Sequence, residues 1–140
     1  MIELVTETSD ELVEAMNRLL PQLSSSAKEL DEKQVRALVD QPNLYLFIYR
    51  HDGVIRGMLS LATFAIPTGL RAWIEDVVVE VEARGHGAGQ ALVEAACAHG
   101  TKIGAKSIDL TSRPSREAAN RLYRRCGFEK RETNVYRYAG

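Results

Sequence analysis

Residues 76–92 read DVVVEVEARGHGAGQAL, which sets a strand, a loop and a helix one after another in the middle of the chain. The β-branched run is typical of a strand, and the alanine-rich end is typical of a helix. Gly85, Gly87 and Gly89 allow the backbone between them to turn with its N–H groups exposed, next to the positive end of the helix dipole. This arrangement predicts a binding site for a phosphate or pyrophosphate.

Two common nucleotide-binding loops are excluded by the residues that follow the glycines. The phosphate loop of nucleoside-triphosphate enzymes ends in Gly-Lys-Ser/Thr, whereas Gly89 is followed by Gln90 and Ala91. The dinucleotide fingerprint requires a third glycine where this chain has Gln90. The loop therefore predicts a phosphate ligand of a different kind.

A second motif lies at residues 116–128, which read REAANRLYRRCGF. Its small and apolar residues recur at three- and four-residue spacing, as on one face of a helix: Ala118, Ala119, Leu122 and Cys126. Gly127 is predicted to end this helix in the left-handed conformation, and Phe128 to begin another strand.

Together these segments resemble two motifs of the GNAT-type N-acyltransferases. The segment Arg84-Gly85-His86-Gly87-Ala88-Gly89 resembles the family's Arg/Gln-x-x-Gly-x-Gly/Ala pyrophosphate loop. Tyr123, four residues before Gly127-Phe128, resembles the tyrosine of the family's later helix. The resemblance spans roughly residues 43–138. It implies an α/β fold with a central mixed, mostly antiparallel sheet of about six to seven strands, flanked by about four helices.

The pattern along the chain predicts the individual elements. Strands are expected at residues 2–6, 44–49, 54–64, 70–79, 107–111, 128–133 and 135–138. A first helix is expected to begin at one of the N-cap candidates Thr8, Ser9 and Asp10 and to stop near Pro21. Further helices are expected around Val35 to Val39, from the glycine loop to about Ile103, and over the tyrosine motif. His51-Asp52-Gly53 is a hairpin turn signal. Helices should cover both faces of the sheet.

Length and charge restrict the function classes. The 140 residues fit a single domain, 1–140, and a net charge of −1 gives no electrostatic basis for nucleic-acid binding. No apolar run of membrane-spanning length and no signal peptide are evident, so a cytoplasmic protein without a membrane partner is expected. An exposed C-terminal strand ending at Tyr138 makes a homodimer possible.

Cysteine and histidine usage predicts neither disulfides nor a metal. Cys97 and Cys126 lie at apolar positions of predicted helices and are expected to be buried thiols. His51, His86 and His99 have no ligand-like spacing with the cysteines or with each other.

The resemblance implies acetyl-CoA as co-substrate. Its pyrophosphate would bind the loop residues, and its pantetheine amide the backbone N–H groups of the valine strand, where a local bulge would also polarise the thioester oxygen. The implied contact residues are Val77, Val78, Val79, Arg84, Gly85, His86, Gly87, Ala88, Gly89, Gln90, Asn120 and Tyr123. Many family members have an asparagine seven residues before the tyrosine, where this chain has Arg116. Whether Asn120 or Arg116 takes over that contact is open.

Acyl transfer to an amine requires a neutral amine, which is only about one in a thousand at neutral pH because an alkyl amine has a pKa of ~10.4. Glu75 is the candidate base, by resemblance to family members with a glutamate on this strand, with Asp76 or a water relay as alternatives. In an unbroken strand the two carboxylates point to opposite faces, and Asp76 is assigned to substrate binding. Tyr123 is the candidate general acid for the leaving sulfur.

The function expected is therefore acetyl transfer from acetyl-CoA to a primary amine of a small molecule, by direct attack in a ternary complex. The Ile74-Glu75-Asp76 triplet also resembles amino-sugar-phosphate N-acetyltransferases, which favours a small polar amine. The alternative is a regulatory or sensor module that binds coenzyme A without turnover. Glu75, Asp76 and Tyr123 favour the enzyme, because a pure binder needs none of them.

Overall fold

The computed structural model describes residues 1–140 and contains one five-stranded sheet in the order β1-β2-β3-β4-β5. The first four strands are antiparallel to their neighbours, and β5 is parallel to β4. The strands are β1 (Ile2–Leu4), β2 (Leu44–His51), β3 (Val54–Ile66), β4 (Gly69–Val79) and β5 (Ser107–Asp109). This confirms the expected mixed, mostly antiparallel sheet.

Four helices cover the two faces of the sheet, as predicted. They are α1 (Asp10–Leu23), α2 (Glu32–Asp40), α3 (Ala88–Lys102) and α4 (Glu117–Arg125). Helices α1 and α2 pack on one face with β2 and β3 around Leu19, Val35 and Ile55. Helices α3 and α4 pack on the other face around Leu59 and Leu92. The sheet therefore lies between two apolar clusters, one on each face. A site that is open to both faces has to lie where two neighbouring strands separate.

Local sequence signals fix several of the element boundaries. The Ser9 side chain accepts a hydrogen bond from the Leu12 N–H and caps α1. Helix α1 includes Pro21 in its last turn and ends at Leu23, two residues later than expected. The turn between β2 and β3 has Asp52 at φ 51° and Gly53 at φ 76°, a two-residue hairpin turn that confirms the sequence signal.

The C-terminal segment differs from the prediction. Residues 126–140 contain no strand, so the sheet has five strands and the two expected at 128–133 and 135–138 are absent. Val135, Tyr136 and Tyr138 are among the most exposed large side chains, at 73%, 87% and 94%. Strand preference expresses itself on a paired, half-buried surface, whereas from Glu129 onward every residue is exposed and none pairs with a strand. The exposed C-terminal strand invoked for a homodimer is therefore not formed.

None of the helices is both long and apolar enough to cross a membrane.

Candidate active site

Strands β4 and β5 part soon after they meet. Strand β5 pairs with β4 only over Arg71–Trp73, while β4 continues to Val79. From Ile74 onward β4 therefore has β3 on one side and no strand on the other. Val77, Val78 and Val79, where the resemblance implies a pantetheine amide, lie on this length of backbone. An open strand edge of this kind binds an extended amide-containing chain through the main chain.

The glycine loop connects this open edge to α3. Gly85 and Gly87 have positive φ, at 88° and 76°, and a Cβ added to either would meet no atom within 4 Å. Gly87 also caps α3, and no side chain bonds to the first-turn N–H groups there. The Arg84 Nε donates to the Val79 carbonyl at 3.2 Å and so ties the loop to the end of β4. The result is a bare backbone cradle of N–H groups at a positive helix end, which suits a pyrophosphate.

Gly89 has a different role from the other two glycines. Its φ is not positive, and it lies within the first turn of α3. A Cβ at Gly89 would lie 3.1 Å from Cδ2 of Leu122 on α4. The expectation that all three glycines serve the turn is therefore corrected, because Gly89 allows α4 to pack closely against α3.

Tyr123 lies on α4 in the cluster that α3 forms with the sheet, and it is 8% exposed. Its ring packs edge-on against Phe128, with ring centroids 6.0 Å apart. The α4 end is as predicted: Gly127 has φ 94°, and the Phe128 N–H donates to the Tyr123 carbonyl. Burial raises the pKa of the Tyr123 phenol, while nearby Arg116 acts in the opposite direction. The hydroxyl therefore stays protonated at neutral pH and makes no hydrogen bond within the protein.

The two candidates for the missing asparagine contact lie at the start of α4. The Asn120 side-chain amide donates to the backbone carbonyls of Arg113 and Arg116, at 2.9 and 2.8 Å. Both bonds hold the segment that leads into the helix. Arg116 is the N-cap residue, it is exposed, and its guanidinium makes no hydrogen bond within the protein. Arg116 therefore has free donors, whereas Asn120 retains only its side-chain oxygen.

A β-bulge interrupts β4 at the two candidate carboxylates. Ser60 pairs with Glu75 and Met58 with Val78, so β4 has one residue more than β3 between these pairs. Asp76 adopts φ 50°, a conformation uncommon outside glycine. The expected bulge is thus present, and it lies immediately before the valines. Backbone strain of this kind persists where the surrounding structure holds it, often at functional sites.

The bulge changes where the two carboxylates lie. Glu75 and Asp76 both line a cavity of about 170 Å³ between the sheet and helices α1 and α2, which we call the carboxylate cavity. The expectation that adjacent residues point to opposite faces was wrong, because the extra residue breaks the two-residue alternation. Leu20, Leu30 and Leu38 from residues 20–42 line this cavity, whereas no residue of 64–71 does.

Ser60 is a site residue that was not predicted from the sequence. It lines the carboxylate cavity directly across from Glu75, is 7% exposed, and its hydroxyl makes no hydrogen bond within the protein. The hydroxyl oxygen is accessible from the cavity, so it is free to bind a ligand there. In the sequence, a lone serine within the apolar run of β3 was the available signal.

Glu80 is the second missed residue. It directly follows β4 and is 5% exposed, with ion pairs to Arg18 of α1 at 2.7 Å and to Arg56 of β3 at 2.5 Å. The hydrogen bonds from Arg56 and then Arg18 lower the pKa of the Glu80 carboxyl, against the effect of burial. This network ties the end of β4, just before the glycine loop, to the helix that lines the carboxylate cavity. A charged residue directly after the apolar valine run was the available signal for it.

No histidine or cysteine lines the carboxylate cavity. His86 of the glycine loop stacks on His51 of the β2–β3 hairpin, with ring centroids 5.2 Å apart. Cys97 and Cys126 are free and half-buried, and burial raises the pKa of both thiols, which makes them poor nucleophiles. No group of three or more His, Cys, Asp or Glu side chains is arranged to hold a metal ion.

Comparison with solved structures finds the same fold in acetyltransferases. One neighbour is an aminoglycoside acetyltransferase from an uncultured soil metagenomic sample, with TM-score 0.86 and 21% identity over 100% of this chain and 95% of that one. Another is glucosamine-6-phosphate N-acetyltransferase from Arabidopsis thaliana, with TM-score 0.79 and 19% identity over 100% and 99%. A third is the aminoglycoside N-acetyltransferase AAC(6′)-Iy in complex with CoA, with TM-score 0.79 and 18% identity over 100% and 99%. At these identities the likeness concerns the fold.

The sequence itself gives the family. No curated protein matches it significantly. The model of the acetyltransferase (GNAT) family, however, matches residues 10–128, which include the glycine loop, the bulged strand and the tyrosine helix. The chain belongs to the GNAT acetyltransferase family.

Proposed function

We propose that the protein is an acetyl-CoA-dependent N-acetyltransferase that acetylates a primary amine of a small molecule by direct attack in a ternary complex. One observation carries the proposal. Strand β4 has the two cavity carboxylates at its bulge and an unpaired edge that runs straight into the glycine loop. A donor held along that edge would have its reactive end at the mouth of the cavity.

The residues present fit coenzyme A. The open space over Gly85 and Gly87 accommodates a pyrophosphate where a side chain would intrude, and the first-turn N–H groups of α3 have no side-chain cap. Along the open edge, the backbone of Val77, Val78 and Val79 would bind the pantetheine amide. The contact set is completed by Arg84, His86, Ala88, Gly89, Gln90 and Tyr123, with Arg116 or Asn120 as a further contact.

When bound, acetyl-CoA would supply an activated acetyl thioester, whose C–S bond is exchanged for the C–N bond of an amide. The Glu75 carboxylate would receive a proton from the acceptor's ammonium, either directly or through water, and Asp76 would hold the cationic head beside it. The Tyr123 hydroxyl has no partner in the protein, and its raised pKa keeps the proton that it would donate to the leaving sulfur. The second proton, which the nitrogen loses as the amide forms, would restore the Tyr123 phenol. The valine-strand N–H groups would stabilise the developing oxyanion.

The alternative is a regulatory module that binds coenzyme A without turnover. Such a module has no use for two carboxylates at a cavity or for a buried tyrosine with a free hydroxyl. Calorimetry with coenzyme A, followed by a thiol-release assay with acetyl-CoA and a panel of amines, separates the two functions. The enzyme predicts binding and amine-dependent thiol release, with intersecting initial-velocity lines for a ternary complex. Binding without release for any amine would support the module, and absence of binding would contradict both.

A further inference from the structure

The carboxylate cavity has a lining that restricts which amine it can accept. Eight of its eleven lining residues are hydrophobic, including Met16 of α1, Leu38 of α2 and Leu46 of β2. The polar remainder is Ser60, Glu75 and Asp76, all on the sheet side. The cavity thus has an aliphatic body and one polar wall, so its ligand should have the same two parts.

The charge of the polar wall is negative and uncompensated. Neither Glu75 nor Asp76 forms an ion pair or hydrogen bond within the protein, and no Lys, Arg or His lines the cavity. A cationic head meets two carboxylates and the Ser60 hydroxyl there. A phosphate group would meet two carboxylates and no cation there, and like-charge repulsion disfavours it. This lining disfavours the amino-sugar phosphate that the Ile-Glu-Asp triplet suggested.

The size and apolar lining restrict the rest of the ligand. An enclosed aliphatic cavity of about 150 Å³ holds one benzene ring. This cavity measures about 170 Å³ and is open to solvent, with Glu75 and Asp76 both exposed, so about one ring fits against its aliphatic wall. A sugar ring of that size would bury several hydroxyls, with Ser60 as the one uncharged side-chain partner in the lining. Buried polar groups without partners are costly, whereas hydrocarbon is stabilised by burial.

We propose that the acceptor is a small monoamine with a hydrocarbon body of about one ring, its ammonium held by Glu75, Asp76 and the Ser60 hydroxyl. The body lies against the leucines and methionines of the cavity. This inference rests on the proposed function, because it assigns the substrate class of the same site. It also makes Ser60 a residue that binds the reacting amine.

Matched amines test the inference directly. Cyclohexylmethylamine and ethylamine share a primary alkylammonium head and differ in hydrocarbon, while glucosamine 6-phosphate and kanamycin represent phosphorylated and polycationic acceptors. Each buried methylene contributes about four-fold, from about 0.8 kcal/mol. We expect kcat/KM for cyclohexylmethylamine to exceed that for ethylamine by at least ten-fold, and to exceed those for both sugars. Higher kcat/KM for either sugar would overturn the inference and leave the proposed function standing.

Two variants locate the effect in the cavity. Ala62 of β3 lines the cavity, and Ala65 lies on the same strand, exposed and outside it. We expect Ala62→Leu to lower kcat/KM for cyclohexylmethylamine at least ten-fold and that for ethylamine less, while Ala65→Leu changes neither. Ser60→Ala should raise KM for both amines about ten-fold without changing coenzyme A affinity. Equal effects of Ala62→Leu and Ala65→Leu would contradict the placement.

A binding readout separates this inference from the proposed function. The complex with coenzyme A is titrated with cyclohexylmethylamine in a calorimeter, whether or not turnover occurs. If cyclohexylmethylamine binds, and the Ala62→Leu variant binds it ten-fold more weakly, the inference is supported even for a protein without activity. The inference is overturned if cyclohexylmethylamine gives no heat of binding, whether kanamycin binds measurably or no amine binds at all.

Discussion

Replacing Glu80 by glutamine tests how much its ion-pair network contributes to the stability of the protein. Glu80 accepts hydrogen bonds from Arg56 and Arg18 at 2.5 and 2.7 Å and is 5% exposed. In Glu80→Gln the carbonyl keeps one of these bonds in weaker form, and the amide NH₂ faces a guanidinium donor. A hydrogen bond to a charged group contributes about 1.5–3 kcal/mol. We therefore expect the free energy of unfolding to fall by about 2–4 kcal/mol.

Calorimetric or circular-dichroism melts at pH 7 would measure this loss as a decrease in Tm of about 5–15 °C. Glu82→Gln is the matched control, because Glu82 is exposed and forms no ion pair. The pKa of Glu80 is lowered in the folded protein from 4.5, so the stabilisation is present above that value. It is lost as the pH falls through the lower, folded value, and the gap between wild type and Glu80→Gln should narrow in acid. A Tm within 2 °C of that of Glu82→Gln, or a difference from wild type that acid leaves unchanged, would contradict this role of Glu80.

Further substitutions test the other parts of the site. Gly87→Ala should cost about 1–2 kcal/mol of stability through its left-handed conformation and weaken coenzyme A binding in calorimetry; unchanged affinity would contradict the pyrophosphate cradle. Gly89→Val should also lower the Tm, because its side chain would press against Leu122, and a wild-type Tm would contradict that contact. Tyr123→Phe should lower the thiol-release rate roughly ten- to thousand-fold with the Tm nearly unchanged, whereas full activity would reduce Tyr123 to packing. Glu75→Gln should lose most activity at neutral pH and recover partly at high pH, where amines deprotonate unaided; a pH–rate profile parallel to wild type would move the base to Asp76 or to water.

The amino-acid sequence alone was sufficient for features that depend on neighbouring residues. The order of strand, glycine loop and helix, the Asp52-Gly53 turn and the left-handed Gly127 all follow from local backbone preferences and short-range periodicity. The same signals placed helices on both faces of the sheet. They failed at the C-terminal residues 128–138, where strand preference without a pairing partner is not enough.

The tertiary structure alone decided how the site is assembled. The bulge at Asp76 is a property of the register between β3 and β4, and it turns two carboxylates expected on opposite faces into one cavity wall. Glu80 meets Arg18, which is 62 positions away in the chain, and Ser60 becomes a site residue only because it pairs with Glu75. These features depend on contacts between distant segments, and such contacts are set by how the sheet and helices pack together, which no local pattern of residues records.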